Sequence, residues 1–255
     1  MSDAISLTSI SAESSPACRN AERTASLDNV TRLLADHFGP RPIAVYEAGG
    51  GSTSYIPLDG LNVSRITLVD IDPHQVERND IAHETIVGDL QTIELPAESF
   101  DLVICYNVIE HLPRLSDALE RMSRVVKRGG LIVIGAPVPL SLNGLAARFT
   151  PHVLHVWICK YLLKWPDAGK PGCAPFPVAY HRLADPNALQ AHMKTLGLQP
   201  VYFCAYLGSL IEEIERKNPL LGRLLIGAVN LVHRASFGGL DLLRGDYHLV
   251  LRKVV

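Results

Sequence analysis

Carboxylates, glycines and histidines recur in this chain at intervals suited to holding a nucleoside-bearing ligand and moving a proton beside it. Glu47 opens the loop Glu47-Ala48-Gly49-Gly50-Gly51-Ser52-Thr53, directly after the apolar run Ile43-Ala44-Val45-Tyr46. Glycine carries no Cβ, so the main chain of such a loop can approach a ligand closely. A second apolar run, Ile66-Thr67-Leu68-Val69, ends on Asp70, 23 residues beyond Glu47. In a doubly wound sheet, an acid about 20 residues after the loop accepts hydrogen bonds from ribose hydroxyls. Asp89 follows the short run Glu84–Val87; it reads either as an acceptor for an adenine amino group or as a plain turn residue. Histidine titrates near neutral pH and is the natural base for a hydroxyl group. His111, paired with Glu110, ranks first, although a structural place at a helix start fits it equally; His181, between Tyr180 and Arg182, ranks second, and His152 and His155 lie in the same later region.

The elements that must position these residues alternate between strand and helix. A helix is predicted from Leu27 to Phe38, with Val30, Leu33, Leu34 and Phe38 on one face and Gly39-Pro40 as its stop. Strands follow at Ile43–Glu47, Ser64–Asp70 and Glu84–Val87, with Asp72-Pro73 starting a helix between the last two. Phe100–Cys105 is almost continuously apolar, as a strand buried on both faces requires. A helix from Leu115 to Val126 is expected to close on Lys127-Arg128-Gly129-Gly130, before a strand at Leu131–Gly135. The alternation predicts an α/β, doubly wound parallel sheet with right-handed crossovers. The rhythm breaks over about 138–183, resumes with a helix at Pro186–Leu196 and a strand at Gln199–Ala205, and breaks again over about 207–243 before a last strand at Tyr247–Lys253.

Composition narrows the function classes. The chain has 255 residues, 47% of them hydrophobic, and a net charge of −2 with no long block of one sign. No nucleic-acid partner is expected. Five scattered cysteines show neither metal nor redox spacing, and no signal-like apolar block is seen, so a reducing cytoplasm is the expected setting. Residues 1–26 read as a flexible Ser- and Ala-rich tail, and 27–255 as a single domain with the two interruptions as substrate cover.

In their order, Val45–Thr53, Val69–Pro73, Gly88-Asp89-Leu90, Ser99–Val103, Asn107–Leu112 and Arg124–Leu131 resemble the class I S-adenosylmethionine-dependent methyltransferases. The resemblance spans about Leu27–Pro137 and returns at the terminal strands. It implies a mostly parallel seven-stranded sheet with an antiparallel last strand, helical insertions after strands five and six, and S-adenosyl-L-methionine as cofactor. It assigns Glu47, Gly49 and Gly51 to the methionine portion, Asp70 and the adjoining Ile71 to the ribose side, and Asp89 with the Leu90 N–H to adenine. Cys105 and Tyr106 would flank the sulfonium and amino group, largely through main chain. Thr53 stands where many members carry a third glycine, which argues against a dinucleotide, whose pyrophosphate needs bare backbone at a helix N-terminus. Glu110-His111 is similar to the pair of quinone-biosynthesis O-methyltransferases, but Asn107 replaces their preceding glutamate, so no metal-assisted mechanism is expected. Asn107-Val108-Ile109 also replaces the Pro-Pro-Tyr of amino-methylating DNA enzymes.

The resemblance therefore implies methyl transfer to a small or lipid-like acceptor, more readily at oxygen than at nitrogen or carbon. Rival readings are an aminopropyltransferase, a nicotinamide-dependent dehydrogenase and a cofactor-binding scaffold without turnover. The insertions hold the acceptor question. One helix is expected over Phe149–Trp165, with His152, His155, Lys160 and Lys164 on one side, and another over Leu220–Arg234, with Arg223, Asn230 and Arg234 as a narrow polar stripe. These helices either pack on each other and on the sheet edge, or line an acceptor channel, or touch a membrane surface peripherally through Trp157, Trp165 and the lysines. Neither supplies the roughly 20 continuous apolar residues of a membrane span.

Overall fold

A computed structural model of the protein describes residues 16–162, 165–173, 175–236 and 241–254. Its centre is a seven-stranded sheet in the order β3-β2-β1-β4-β5-β7-β6. The strands are β1 (Ile43–Ala48), β2 (Val63–Asp70), β3 (Glu84–Val87), β4 (Phe100–Tyr106), β5 (Val126–Pro137), β6 (Leu198–Leu207) and β7 (Arg244–Lys253). The first five pair in parallel, and β7 runs antiparallel to both its neighbours, β5 and β6. This is the doubly wound sheet with an antiparallel last strand that the sequence implies.

Strand β4 is buried along its whole length because both of its faces are covered. Alternate side chains point to opposite sides of a strand. Val103 and Cys105 pack with Leu115, Leu119 and Met122 of α3 (Leu115–Val125) and with Leu189 and Met193 of α6 (Pro186–Thr195). Leu102, Ile104 and Tyr106 meet Val30, Leu34 and Phe38 of α1 (Pro16–Phe38) on the other side. Each fully buried large side chain of this kind contributes about 1.5–3 kcal/mol.

Three local differences from the sequence reading have physical causes. Helix α1 begins at Pro16, well ahead of Leu27, so 16–26 is helix and not tail; residues 1–15 of the expected tail lie outside the described residues. Polar and small residues fill that first half, and tertiary contact replaces apolar periodicity: Ser26 Oγ lies 2.8 Å from His248 Nδ1 in β7. Secondly, α3 ends at Val125 and β5 starts at once, so Lys127–Gly130 is strand and not helix terminus. Val126 pairs with Phe100, the register shifts before Leu102 meets Leu131, and Gly129 takes up the irregularity at φ +76°. Lys127 Nζ is held by Asp101 Oδ2 at 2.8 Å, and Asp101 also takes Arg41 and the Ala44 N–H.

Thirdly, the single helix expected over Phe149–Trp165 is broken. Helix α4 (Leu142–Phe149) stops before Thr150-Pro151, α5 (His152–Trp157) follows, and a π turn at Ile158–Leu162 continues it; Lys164 lies outside the described residues. Proline cannot donate to the preceding turn, so the helix restarts there. In the second insertion, α7 (Ser209–Lys217) and α8 (Pro219–Ala235) are divided at Asn218, whose side chain caps the Leu221 N–H. Helix α8 buries Ile226 and Val229 in a cluster with Leu207, Ile211 and Leu243, to which Leu142 of α4 adds. Helix α8 therefore packs chiefly on α7.

Candidate functional site

The carboxyl ends of β1, β2, β3 and β4 lie side by side, and they bring Glu47, Asp70, Asp89 and Tyr106 to one edge of the sheet. In open α/β sheets, ligands bind in the crevice outside this edge. The loop after β1 is shaped by two left-handed glycines. Gly49 has φ +74°, gives its N–H to Val69 O at 2.7 Å, and would set a Cβ 2.6 Å from Val108. Gly51 has φ +59° and gives its N–H to Asp70 Oδ2 at 3.0 Å. Asp70 Oδ1 takes the Asp72 N–H at 2.9 Å, so one carboxylate ties the glycine loop to the start of α2 (Pro73–Glu77). Burial raises the Asp70 pKa, against the pull of these N–H donors.

Glu47 is 2% exposed, and its Oε1 has no hydrogen-bond partner among the described residues. Burial pushes its carboxyl up to about 7, with a bond from Ser54 opposing. Asp89 Oδ1 accepts from the backbone and side chain of Gln91, at 2.8 and 3.0 Å, which is the turn role that the sequence left open. Leu90 beside it is buried, whereas Ile71 leaves 69% of its surface exposed at the edge.

Cys105 and Tyr106 reach the edge by main chain only. The Cys105 thiol is fully buried, and burial drives its pKa far up. Tyr106 turns to the α1 side, where its hydroxyl lies 2.9 Å from His248 Nε2. Tyr206 OH is 3.1 Å from the same nitrogen, and the exposed Tyr55 stacks on the Tyr106 ring at 5.2 Å. Burial and then Arg23 lower the His248 pKa to about 4. No local signal in the sequence announces this cluster, since Tyr106 and His248 are 142 positions apart.

Beyond β4 the chain makes a short 3-10 turn, Ile109–His111. His111 Nδ1 lies 2.6 Å from Pro177 O. A carbonyl only accepts, so Nδ1 carries the proton and Nε2 keeps its lone pair. Burial lowers the His111 pKa and favours this neutral form. Nε2 is 3.8 Å from Glu110 Oε1, while Glu110 Oε2 has no partner among the described residues. Burial pushes the Glu110 carboxyl up to about 8. The Glu110 carbonyl accepts from the Ala179 and Tyr180 N–H groups, at 2.8 and 3.0 Å, which pins the end of the first insertion against the turn. Glu110 is the residue that sequence reasoning named only as a neighbour; an acid closing so apolar a stretch was the available signal. His181 is used otherwise: its Nδ1 accepts from the Leu183 N–H at 3.2 Å and caps the 3-10 turn Arg182–Ala184.

Residues 46–134 match the family model described as Methyltransferase domain. The match takes in the glycine loop, both strand-end acids and the Glu110-His111 turn. The chain carries a class I S-adenosylmethionine-dependent methyltransferase domain. The 2-methyl-6-phytyl-1,4-hydroquinone methyltransferase of Synechocystis sp. is 34% identical over 92 residues, covering 33% of this chain and 28% of that protein. The ubiquinone biosynthesis O-methyltransferase of Pseudomonas entomophila is 31% identical over 74 residues, covering 29% of this chain and 32% of that protein. The chain thus spans about a third of the length of these curated relatives.

Among solved structures, a SAM-dependent methyltransferase from Archaeoglobus fulgidus has the same fold at a TM-score of 0.52 and 18% identity, covering 92% of this chain and 96% of that one. The geranyl diphosphate C-methyltransferase of Streptomyces coelicolor, crystallised with Mg2+, geranyl diphosphate and S-adenosyl-L-homocysteine, follows at 0.54 and 14%, covering 95% and 85%. The methyltransferase domain's cofactor is S-adenosylmethionine. Among the described residues no cluster of three or more His, Cys, Asp or Glu could hold a metal ion.

Proposed function

We propose that the protein transfers a methyl group from S-adenosylmethionine to an oxygen of a small, lipid-like metabolite, with His111 receiving the acceptor's proton. The observation that carries this reading is the committed Nδ1–H of His111, which leaves Nε2 as an unprotonated base beside the end of β4. Oxygen acceptors need such a base; a methyl transfer to an already nucleophilic nitrogen would not. The names of the curated relatives, one a hydroquinone methyltransferase and one a ubiquinone-pathway O-methyltransferase, support a quinol-like acceptor with a greasy tail.

The site fits the cofactor on its own chemistry. Glu47 offers a buried carboxyl oxygen that lacks a partner, and an ammonium group supplies one. Gly49, Gly50 and Gly51 leave no room for a Cβ beside Val108, Glu47 and Gln75; Asp70 would take the ribose hydroxyls, and Asp89 and the Leu90 N–H the adenine. Ile71 would offer apolar surface there, and the Cys105 and Tyr106 main chain would close the sulfonium end. When bound, S-adenosylmethionine supplies a methyl group on a positively charged sulfur already activated for displacement. The protein's work is then alignment, exclusion of water and proton removal. His111 Nε2 takes the acceptor proton, and Glu110 stands next to the resulting imidazolium.

Incubation with methyl-labelled S-adenosylmethionine and prenylated catechols and hydroquinones tests this. Label on oxygen is expected. Label on ring carbon would move the chemistry to carbon, and binding of S-adenosylhomocysteine without any turnover would identify a scaffold.

A further inference from the structure

Both insertions carry apolar surface that stays exposed among the described residues. Val153 and Trp157 lie four apart on α5, Phe149 ends α4 and Tyr161 lies in the π turn, and each is at least half exposed. On α8, Leu220, Leu224 and Leu231 form one outward stripe, between 64% and 71% exposed. Residues four, seven or eleven apart share a helix face. The stripe is therefore opposite Ile226 and Val229, which are buried against α7 and its neighbours. Isolated exposed leucines are ordinary, but contiguous exposed rows mark a contact surface.

Charge says what the contact is. From 138 to 166 and from 216 to 240 the chain has no Asp or Glu, yet these stretches hold seven of its 24 lysines and arginines. Arg223 and Arg234 are exposed along the side of the α8 stripe, and the Lys160 ammonium sits 6.0 Å from the Tyr161 ring centre. Both tryptophans of the chain, Trp157 and Trp165, are half exposed in the same insertion. Two apolar rows, each with cations beside it and interfacial aromatics on the first, and with no Asp or Glu within their own stretches, suit an anionic bilayer surface. A second copy of this chain docked through the same rows would bring their arginines and lysines towards each other. Among the described residues no helix is long and apolar enough to cross a membrane, so the helices would lie flat.

We propose that the α5 and α8 faces rest on the surface of a membrane containing anionic lipid, with their apolar rows at the acyl boundary and their cations among the headgroups. The inference stands apart from the methyl-transfer reading, and its test reads binding alone. Intact protein is mixed with phosphatidylcholine vesicles, with or without phosphatidylglycerol, and followed by flotation and by emission of Trp157 and Trp165. A blue shift and flotation with the phosphatidylglycerol vesicles are expected, with partitioning weaker by tenfold or more on pure phosphatidylcholine. Val153→Glu and Leu224→Glu, both at exposed positions that leave the tryptophans in place, should each weaken partitioning at least tenfold with unchanged circular dichroism. Lys160→Glu with Arg223→Glu should remove the preference for anionic vesicles. Absence of flotation, or variants that float as well as the parent, would overturn the proposal. So would a dimer in sedimentation without vesicles that the Leu224→Glu change converts to a monomer, because the faces would then cover each other.

Discussion

Two groups of buried polar side chains sit at the carboxyl edge of the sheet, and they are finished differently. Against α1, Ser26, Tyr106, Tyr206 and His248 satisfy one another at 2.8 to 3.1 Å around one neutral imidazole. Around the glycine loop and the turn after β4, Glu47 and Glu110 each keep a carboxyl oxygen without a partner among the described residues. A closed network fixes structure; an unsatisfied buried polar group costs about 1–3 kcal/mol and persists where a ligand completes it. One cluster holds α1 down, and the other awaits chemistry.

Four measurements would break or sharpen that contrast. The largest effect is expected at the base: His111→Ala should lower kcat by about 10²–10⁴-fold, with S-adenosylhomocysteine affinity unchanged by calorimetry. Full turnover in that variant would remove His111 from the reaction. In the closed cluster, His248→Ala should cost about 2–4 kcal/mol in urea unfolding, by opening a cavity and removing the ring that three hydroxyls share, while cofactor affinity per folded molecule holds. A drop in affinity with no loss of stability would mean that the two groups have exchanged roles. Glu47→Ala should weaken S-adenosylhomocysteine binding by about 10–100-fold, the worth of one charge-assisted bond, and leave the Tm equal or higher.

The smallest effect is a slope. The Glu110 pKa is raised from 4.5 to about 8, so the folded state binds a proton that the unfolded chain has lost over that window. The stability that this protonation brings is complete below 4.5 and lost as pH climbs towards 8, at about 1.4 kcal/mol per pH unit. His248, lowered from 6.5 to about 4, acts in the opposite sense, and its contribution is lost as pH falls through that range. Unfolding of Glu110→Gln across pH 5–8 should therefore show a flatter decline than the parent. An unchanged slope would show that the carboxyl is already ionised in the fold.

The glycine loop, the strand-end acids and the succession of strands along the chain were legible because each is local: a run of apolar residues, a turn and an acid at a set distance. The closed cluster was not, because its members meet across as many as 222 positions. The start of α1 was hidden for the same reason, since its polar first half is held by tertiary bonds and not by an apolar stripe. Lys127–Gly130 misled because basic residues followed by glycine end helices as readily as they fill an irregular strand beside an acid. For His181, sequence showed a titratable ring but not that Leu183 would use it as a cap.

The first insertion is moored to the site through Pro177 O, the Ala179 N–H and the Tyr180 N–H. Those contacts ask the insertion for peptide groups and not for particular side chains. Most of the segment from Pro175 to Tyr180 can thus be rewritten residue by residue while its attachment to Glu110 and His111 survives. Proline at 177 keeps its carbonyl; the left-handed backbone of Tyr180, at φ +43°, its burial, and the edge contact of the Phe176 ring with His111 narrow the choice. Variation has a place to accumulate here without disturbing the main-chain contacts that hold Glu110 and His111.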